Sequence, residues 1–406
     1  LSDVTMGAGA MHIGNYAFSE CANLLNAPIG AGAVLIGAHV FQGCAGMTNA
    51  VIPDSVTVIG TDVFRGCDSL ASLAIGDGLV DLGSIGFSSL YGLTRVVIGD
   101  GIREIGDSAF RPCPSLASVV IGNGVTNIGW DAFSDCTNLS SVAIGTNVAV
   151  IGDGAFAFCN SLIELTIPDS VRNVGGSAFR GCGGLARVSM GAGVTNIGNS
   201  AFYQCTNLLN AAIGPGVVSI GDYAFSWCAA MTNAVIPDGV TSIGTHVFEG
   251  CDALANLVIG DGLADLGDID FRGLPALRSV EIGDGVSRIE DQTFRQCHNL
   301  ANVVIGNGVT EIGYAAFSDC ENLASVVFGT NVAVIGDMAF EMCRSLVELT
   351  IPDGVRNIGG SAFSFCDGLT SVAMGMGVTN IGSWAFAGCT NLLNAPIGSG
   401  VVSIGG

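Results

Sequence analysis

The chain has 406 residues and a formal net charge of −22, which arises from 13 basic residues, all of them arginine, and 35 acidic ones. So acidic a surface repels other polyanions, which excludes nucleic acid as a partner. Because 49% of the residues are hydrophobic and only 12% are charged, a disordered polymer is excluded as well. No apolar run is long enough to cross the hydrocarbon core of a bilayer, so we predict no transmembrane segment.

A phenylalanine returns at every twenty-third position from one end of the chain to the other, without insertion or deletion. A fixed period of this size is typical of a solenoid, in which each unit buries its apolar face only against its neighbours. We therefore predict a single continuous repeat domain over residues 1–406. The recurring residues are Phe18, Phe41, Phe64, Phe87, Phe110, Phe133, Phe156, Phe179, Phe202, Phe225, Phe248, Phe271, Phe294, Phe317, Phe340, Phe363 and Phe386.

Each repeat contains two extended segments, which the copy after Phe110 shows clearly. Leu116, Val119 and Ile121 form an LxxVxI pattern of residues suited to a strand with one inward side. A Gly-Asn-Gly turn follows, and residues 125–128 form a second, shorter strand-like piece. The Ala-Phe-x-x-Cys segment is the remaining corner, for which we predict a bend or one turn of 3₁₀-helix.

Stacked repeats of this kind predict a β-rich solenoid of about 17–18 coils, with one parallel sheet, short second strands and little α-helix. The sequence has a second, longer period of eight repeats: Val51–Val56 returns as Val235–Val240 with one substitution. The predicted blocks are therefore 4–187, 188–371 and a truncated third, 372–406. The irregular coil is duplicated too, because Leu90 and Leu274 each replace the cysteine expected there.

The repeat, written AFxxCxxLxxVxIPxxVxxIGxx, resembles the BspA-type leucine-rich repeat of bacterial and protist surface proteins. The resemblance covers the whole chain. It implies a leucine-rich-repeat solenoid in which LxxVxI is the sheet strand. It also implies an extracellular or cell-surface location, in some members as an adhesin that engages host matrix or other cells.

All fifteen cysteines lie three residues after the recurring phenylalanine. Zinc sites need CxxC-type clusters, which are absent, and stacking at one level does not favour disulfide geometry. We predict a buried column of free thiols. The cysteines are Cys21, Cys44, Cys67, Cys113, Cys136, Cys159, Cys182, Cys205, Cys228, Cys251, Cys297, Cys320, Cys343, Cys366 and Cys389.

Turn aspartates occupy equivalent positions in consecutive coils and should stack along one edge. One interpretation is a solvated turn edge, which we favour; the other is a Ca²⁺-binding edge that relieves the repulsion between neighbouring carboxylates. The residues concerned are Asp54, Asp77, Asp100, Asp238, Asp261 and Asp284.

No catalytic motif is present: P-loop, GxSxG and HExxH patterns are all missing, and the four histidines occupy unrelated positions in the repeat. We therefore predict neither enzymatic activity nor a cofactor.

The outward positions of the LxxVxI strand form an apolar file beside a polar one. Such a surface is suited to a protein or glycan partner, although ordinary β-propensity filling would give the same pattern. The predicted partner-binding residues are Val97, Val120, Val235, Val258, Asn210, Asn233, Asn256 and Asn302.

Two functions follow from these patterns. The first is a non-catalytic extracellular or cell-surface interaction protein, adhesin-like, that binds protein or glycan through its sheet face. The alternative is a structural filament or matrix protein that assembles from stacked repeats, since near-identical blocks suit a building material. In that case copies of the chain would associate head to tail through their open ends.

Overall fold

The computed structural model describes residues 2–7, 9–83, 87–211, 213–267 and 269–405. The chain forms two compact units, Leu1–Leu208 and Leu209–Gly406. Each unit is a parallel β-solenoid whose strands recur once per repeat, and the described residues contain no helix. The predicted fold is thereby confirmed. No helix long and apolar enough to cross a membrane occurs in the described part of the chain.

The LxxVxI segments form the long strands of both units. In the first unit they are Asn49–Ile52, Ser72–Ile75, Arg95–Ile98, Ser118–Ile121, Ser141–Ala143, Glu164–Ile167 and Arg187–Met190. In the second unit they are Asn210–Ala211, Asn233–Ile236, Asn256–Ile259, Ser279–Ile282, Asn302–Ile305, Ser325–Val327, Glu348–Thr350 and Ser371–Ala373. Neighbouring strands pair in parallel with an offset of one repeat, as Val97 does with Val120.

The second extended segments form the short strands. In the first unit they are His12–Ile13, Leu35–Ile36, Val58–Ile59, Glu104–Ile105, Asn127–Ile128, Val150–Ile151, Asn173–Val174 and Asn196–Ile197. In the second unit they are Ser219–Ile220, Ser242–Ile243, Arg288–Ile289, Glu311–Ile312, Val334–Ile335, Asn357–Ile358, Asn380–Ile381 and Ser403–Ile404. Between Ile243 and Arg288 the short-strand ladder is interrupted, because residues 263–267 are in no strand.

The Phe–Cys corner consists of two successive turns rather than a 3₁₀-helix. In the coil of Phe41, the Gln42 N–H donates to the His39 carbonyl and the Cys44 N–H donates to the Phe41 carbonyl. His39 and Gly43 both have positive φ, 57° and 72°. A left-handed residue in each turn stops the 3₁₀ pattern from propagating, so the helical alternative in our prediction was wrong and the bend was right.

The recurring phenylalanines stack into a column inside each unit. Their ring centroids lie 5.1 to 6.3 Å apart, and adjacent rings are within 25° of parallel. Thiols beside the column donate a hydrogen bond to the phenylalanine carbonyl of the preceding coil, as Cys136 does to Phe110 at 3.5 Å. Burial raises the pKa of the Cys182 thiol to about 12.

The cysteines are all free thiols, and most are buried as predicted. The prediction was wrong for Cys21 and Cys389, which are partly exposed. Each lies in the outermost Phe–Cys corner of its unit, where a second corner covers it on one side only.

Candidate functional site: the outward face of the long strands

The outward face of the long strands carries an exposed apolar file, which the parallel register assembles. Val97 and Val120 lie side by side in the first unit, and Val235 and Val258 do so in the second. Val235 is 51% exposed, whereas Val97 and Val258 are half-buried. Each valine alternates with buried neighbours along its strand, so a single layer of side chains projects from a flat face.

The polar file beside it is an asparagine ladder in the second unit. The Asn233 amide nitrogen lies 3.4 Å from the Asn210 amide oxygen, and the Asn256 nitrogen lies 2.8 Å from the Asn233 oxygen. Asn302 is two strands farther along, beyond Ser279. The structure therefore brings together three of the four predicted asparagines, and the ladder fixes the orientation of their amides.

The same apolar file continues beyond the residues predicted from the sequence. Val304 and Val327 extend it on the next strands, with Val327 54% exposed, while Glu281 interrupts it between Val258 and Val304. A complete tabulation of this one repeat position along the sequence would have found all three residues. The file is therefore an apolar strip with one carboxylate inside it.

The turn aspartates make hydrogen bonds between coils. Asp54 Oδ1 accepts from the Asp77 N–H at 3.0 Å, and Asp77 Oδ1 accepts from the Asp100 N–H at 2.6 Å. In the second unit the same arrangement, at 3.1 and 2.7 Å, joins Asp238, Asp261 and Asp284. One oxygen of each accepting carboxylate is thus committed to the next coil. Among the described residues no group of three His, Cys, Asp or Glu side chains could hold a metal ion. The solvated edge that we favour stays a prediction, and Ca²⁺ binding stays its alternative.

A second set of hydrogen bonds between aspartate side chains and the next coil was not predicted from the sequence. Asp107 Oδ1 accepts from the Trp130 N–H at 2.8 Å, and Asp153 and Asp337 accept from the glycine N–H groups of the following coils at 2.6 Å. The signal was available as a recurring Ile-Gly-Asp before the Phe–Cys corner. These carboxylates hold the corners together in the way the turn aspartates hold the turns.

Large aromatic side chains stand exposed at one position of the Phe–Cys corner in three coils. Phe158, Trp227 and Phe365 occupy the same left-handed position, and each is followed one coil later by a glycine. A Cβ on Gly250 would lie 2.8 Å from the Trp227 ring, so the absent side chain makes room for the indole. In each unit these corners are exposed separately from the strand face.

The parallel coils and the outward strand face together define a leucine-rich-repeat solenoid, a class of proteins that are in general non-catalytic interaction proteins. The sequence model for the BspA type leucine rich repeat region matches residues 1–117, 34–163, 128–226, 218–347 and 310–406. These matches span the whole chain, which therefore belongs to this family.

Two solved structures illustrate the similarity. A leucine-rich repeat protein from Bacteroides ovatus is similar at 26% identity and a TM-score of 0.51, over 92% of this chain and 87% of that one. A leucine rich cell surface protein from Faecalibacterium prausnitzii matches at 27% identity with a TM-score of 0.37, over 86% of each chain. No curated protein sequence matches significantly.

Proposed function

We propose that the chain is a non-catalytic interaction protein of the bacterial cell surface that binds a protein or glycan ligand through the outward face of its long strands. The observation that carries the proposal is the exposed valine strip beside the asparagine ladder. The fold does not require valine at these positions, because Thr166 and Ser189 occupy the same place in other coils. Exposed valines such as Val235 and Val327 therefore support a face kept apolar for a partner.

The geometry suits recognition by many weak contacts. Valines have few rotamers and the laddered amides are already oriented, so little conformational entropy is lost when a partner is bound. The extracellular or cell-surface location rests on the resemblance to BspA-type surface proteins. Both parts of the proposal can be tested separately.

The binding test compares the purified chain with the double variant Val235→Lys/Val327→Lys on immobilised matrix proteins, glycans and intact cells. Two lysines would place charges in the middle of the apolar strip, so we expect at least a tenfold loss of binding. Trp227→Ser is the matched control, because it removes an exposed side chain from a corner instead. Equal binding by the double variant, or no binding to any of these surfaces by the unmodified chain, contradicts the proposal.

A structural filament is the second candidate, and the duplication of the eight-coil block favours it. The blocks 4–187 and 188–371, with the partial block 372–406, would then belong to one continuous solenoid over residues 1–406 that stacks head to tail with further copies. Light scattering over a concentration series, followed by electron microscopy, tests this directly. A 40.9 kDa monomer at every concentration excludes the filament.

A further inference from the structure

A cavity of about 640 Å³ lies in the second unit, where the short-strand ladder is interrupted. Pockets for small ligands usually measure roughly 300–1,000 Å³, so the size is suitable. The side chains that line it are mostly polar, unlike the rest of the coil interior. They include His246, Asp270, Arg272, Glu290, Asp291 and Gln292.

The cavity lies where one coil has lost part of its hydrogen bonding to its neighbours along this corner, although the Gly273 N–H still donates to the Arg295 carbonyl at 2.9 Å. In most coils the corner phenylalanine donates its N–H to the next coil, as Phe225 does to Val247 at 3.0 Å and Phe294 does to Ala316 at 2.9 Å. Among the described residues, Phe248 and Phe271 make no such bond. The rings of these two residues are also 6.2 Å apart, against 5.3 Å for Phe294 and Phe317.

Glu290 marks the opening in the sequence. The equivalent position is glycine in every other coil, seventeen times from Gly14 to Gly405. The physical reason is contact between coils: a Cβ on Gly244 would lie 2.4 Å from the Asp222 nitrogen, and one on Gly313 would lie 2.6 Å from Asp291 Oδ1. A side chain fits at Glu290 because the preceding coil has moved away, and its carboxylate lines the space that this movement leaves.

Asp270 is the second exception to the repeat. Its position holds alanine, valine, glycine or threonine in the other coils. Arg272 binds the Asp270 carboxylate with two nitrogens, at 2.8 and 2.7 Å. This contact lowers the pKa of Asp270, so the carboxylate is charged at neutral pH.

Negative charge remains in excess around the cavity. Arg288 is shared among Glu290, Asp291 and Glu311, at 3.1, 3.5 and 3.4 Å. Of the side chains that line the cavity itself, three are carboxylates (Asp270, Glu290 and Asp291) and one is a guanidinium group (Arg272), an excess of two negative charges. A positively charged ligand would find this region complementary.

The duplicated block lacks these charges and is closed at the position equivalent to Glu290, because a Cβ on Gly106 would lie 2.1 Å from the Gly83 carbonyl oxygen. The equivalent positions one block earlier are Gly86, Ser88 and Gly106, where the second block has Asp270, Arg272 and Glu290. The two blocks share the irregular coil with its cysteine replaced by leucine. Asp270, Arg272 and Glu290 are therefore specific to the second block, whereas Asp291 has an equivalent in Asp107.

We propose that this cavity binds a small organic cation, a protonated amine, through the Glu290 and Asp291 carboxylates and the backbone carbonyls of the separated coil. An organic ammonium suits the site better than a metal ion, since the described residues hold no three-ligand metal cluster. An ammonium needs at most three acceptors, each about 2.8 Å from its nitrogen, and its alkyl chain fills part of the remaining space, whereas Ca²⁺ requires about six to eight oxygen ligands. The site is separate from the strand face and does not depend on its function.

The test is a binding measurement with n-butylammonium as the probe, by calorimetry or ligand-observed NMR at about 150 mM salt, which screens diffuse attraction to the acidic surface. Butan-1-ol has the same shape without the charge. We expect saturable binding of the ammonium and none of the alcohol. Glu290→Gln should weaken the ammonium about tenfold, since a charge-assisted hydrogen bond is lost. Glu290→Gly, which restores the usual residue of the repeat, should do the same.

Glu281→Gln is the matched control, because it removes an exposed carboxylate from the strand face of the same unit. It should bind the ammonium as the unmodified chain does. Circular dichroism establishes that each variant is folded. The proposal is overturned if no saturable binding occurs up to about 10 mM, if Glu290→Gln and Glu281→Gln weaken it equally, or if butan-1-ol binds as well as the ammonium.

Discussion

The closeness of successive turns can be tested with a pair of glycine substitutions in the second unit. At Gly262 a Cβ would lie 2.2 Å from the Asp238 carbonyl oxygen and 2.4 Å from that of Val240. At Gly239, the equivalent residue one coil earlier, the nearest atoms are the carbonyl oxygens of Val217 and Pro215, at 3.3 and 3.4 Å. Neither glycine has a positive φ, so the two positions differ in space and not in backbone strain.

We expect Gly262→Ala to cost about 2–4 kcal/mol of the free energy of unfolding, the sum of two effects. Overpacking against backbone typically costs about 1–3 kcal/mol. Separating the turns would also stretch the hydrogen bond from the Asp261 N–H to Asp238, 3.1 Å long, worth about 1 kcal/mol. Gly239→Ala should change stability by less than about 1 kcal/mol, since a compatible alanine loses less entropy on folding. The sequence supports this, because Ser55 occupies the same position in the first block.

The measurement is urea denaturation followed by circular dichroism, with both variants compared with the unmodified chain. Because repeat proteins need not unfold in one step, the midpoint of each transition is the quantity to compare. If the two variants lose stability equally, the coils can separate at negligible cost and the argument from close contact fails. If Gly239→Ala is the more damaging variant, the turn geometry itself is different.

Three further predictions concern the corner and the core. Gly250→Ala should displace the Trp227 ring and strain a residue with a φ of 70°. We expect a change in tryptophan fluorescence emission and a lower Tm in thermal unfolding, and an unchanged emission spectrum would contradict the prediction. Phe133→Ala should lower the free energy of unfolding by about 3–5 kcal/mol, because the contacts of the buried ring with both neighbouring rings are lost. A loss of less than about 1 kcal/mol in urea denaturation would mean that the column is not a source of stability. Burial raises the pKa of the Cys182 thiol to about 12, above the value of about 8.5 expected when the chain is unfolded. The free energy of unfolding should therefore be constant below about pH 8.5 and fall as the pH rises toward 12. Urea midpoints measured from pH 7 to 10 check this, and a midpoint independent of pH would contradict it.

The sequence by itself determined the solenoid, its inward side chains and most of the thiol column. In a repeat of fixed length, equivalent residues of successive coils must meet, so the local pattern is also the tertiary pattern. Phe110 could be placed against Phe133, and Val97 beside Val120, from the period alone. Alternation along each strand then decided which of these side chains face inward.

Only the tertiary structure decided what depends on the distance between coils. The period brings Asp54 near Asp77, but it does not show that a carboxylate oxygen accepts the next N–H. Left-handed residues in the corner, such as His39, follow from closing the coil and not from side-chain type. Glu290 could be recognised in the sequence as a departure from glycine. That it lines a cavity depends on the separation of one coil from its neighbours, a property of backbone packing that no residue pattern specifies.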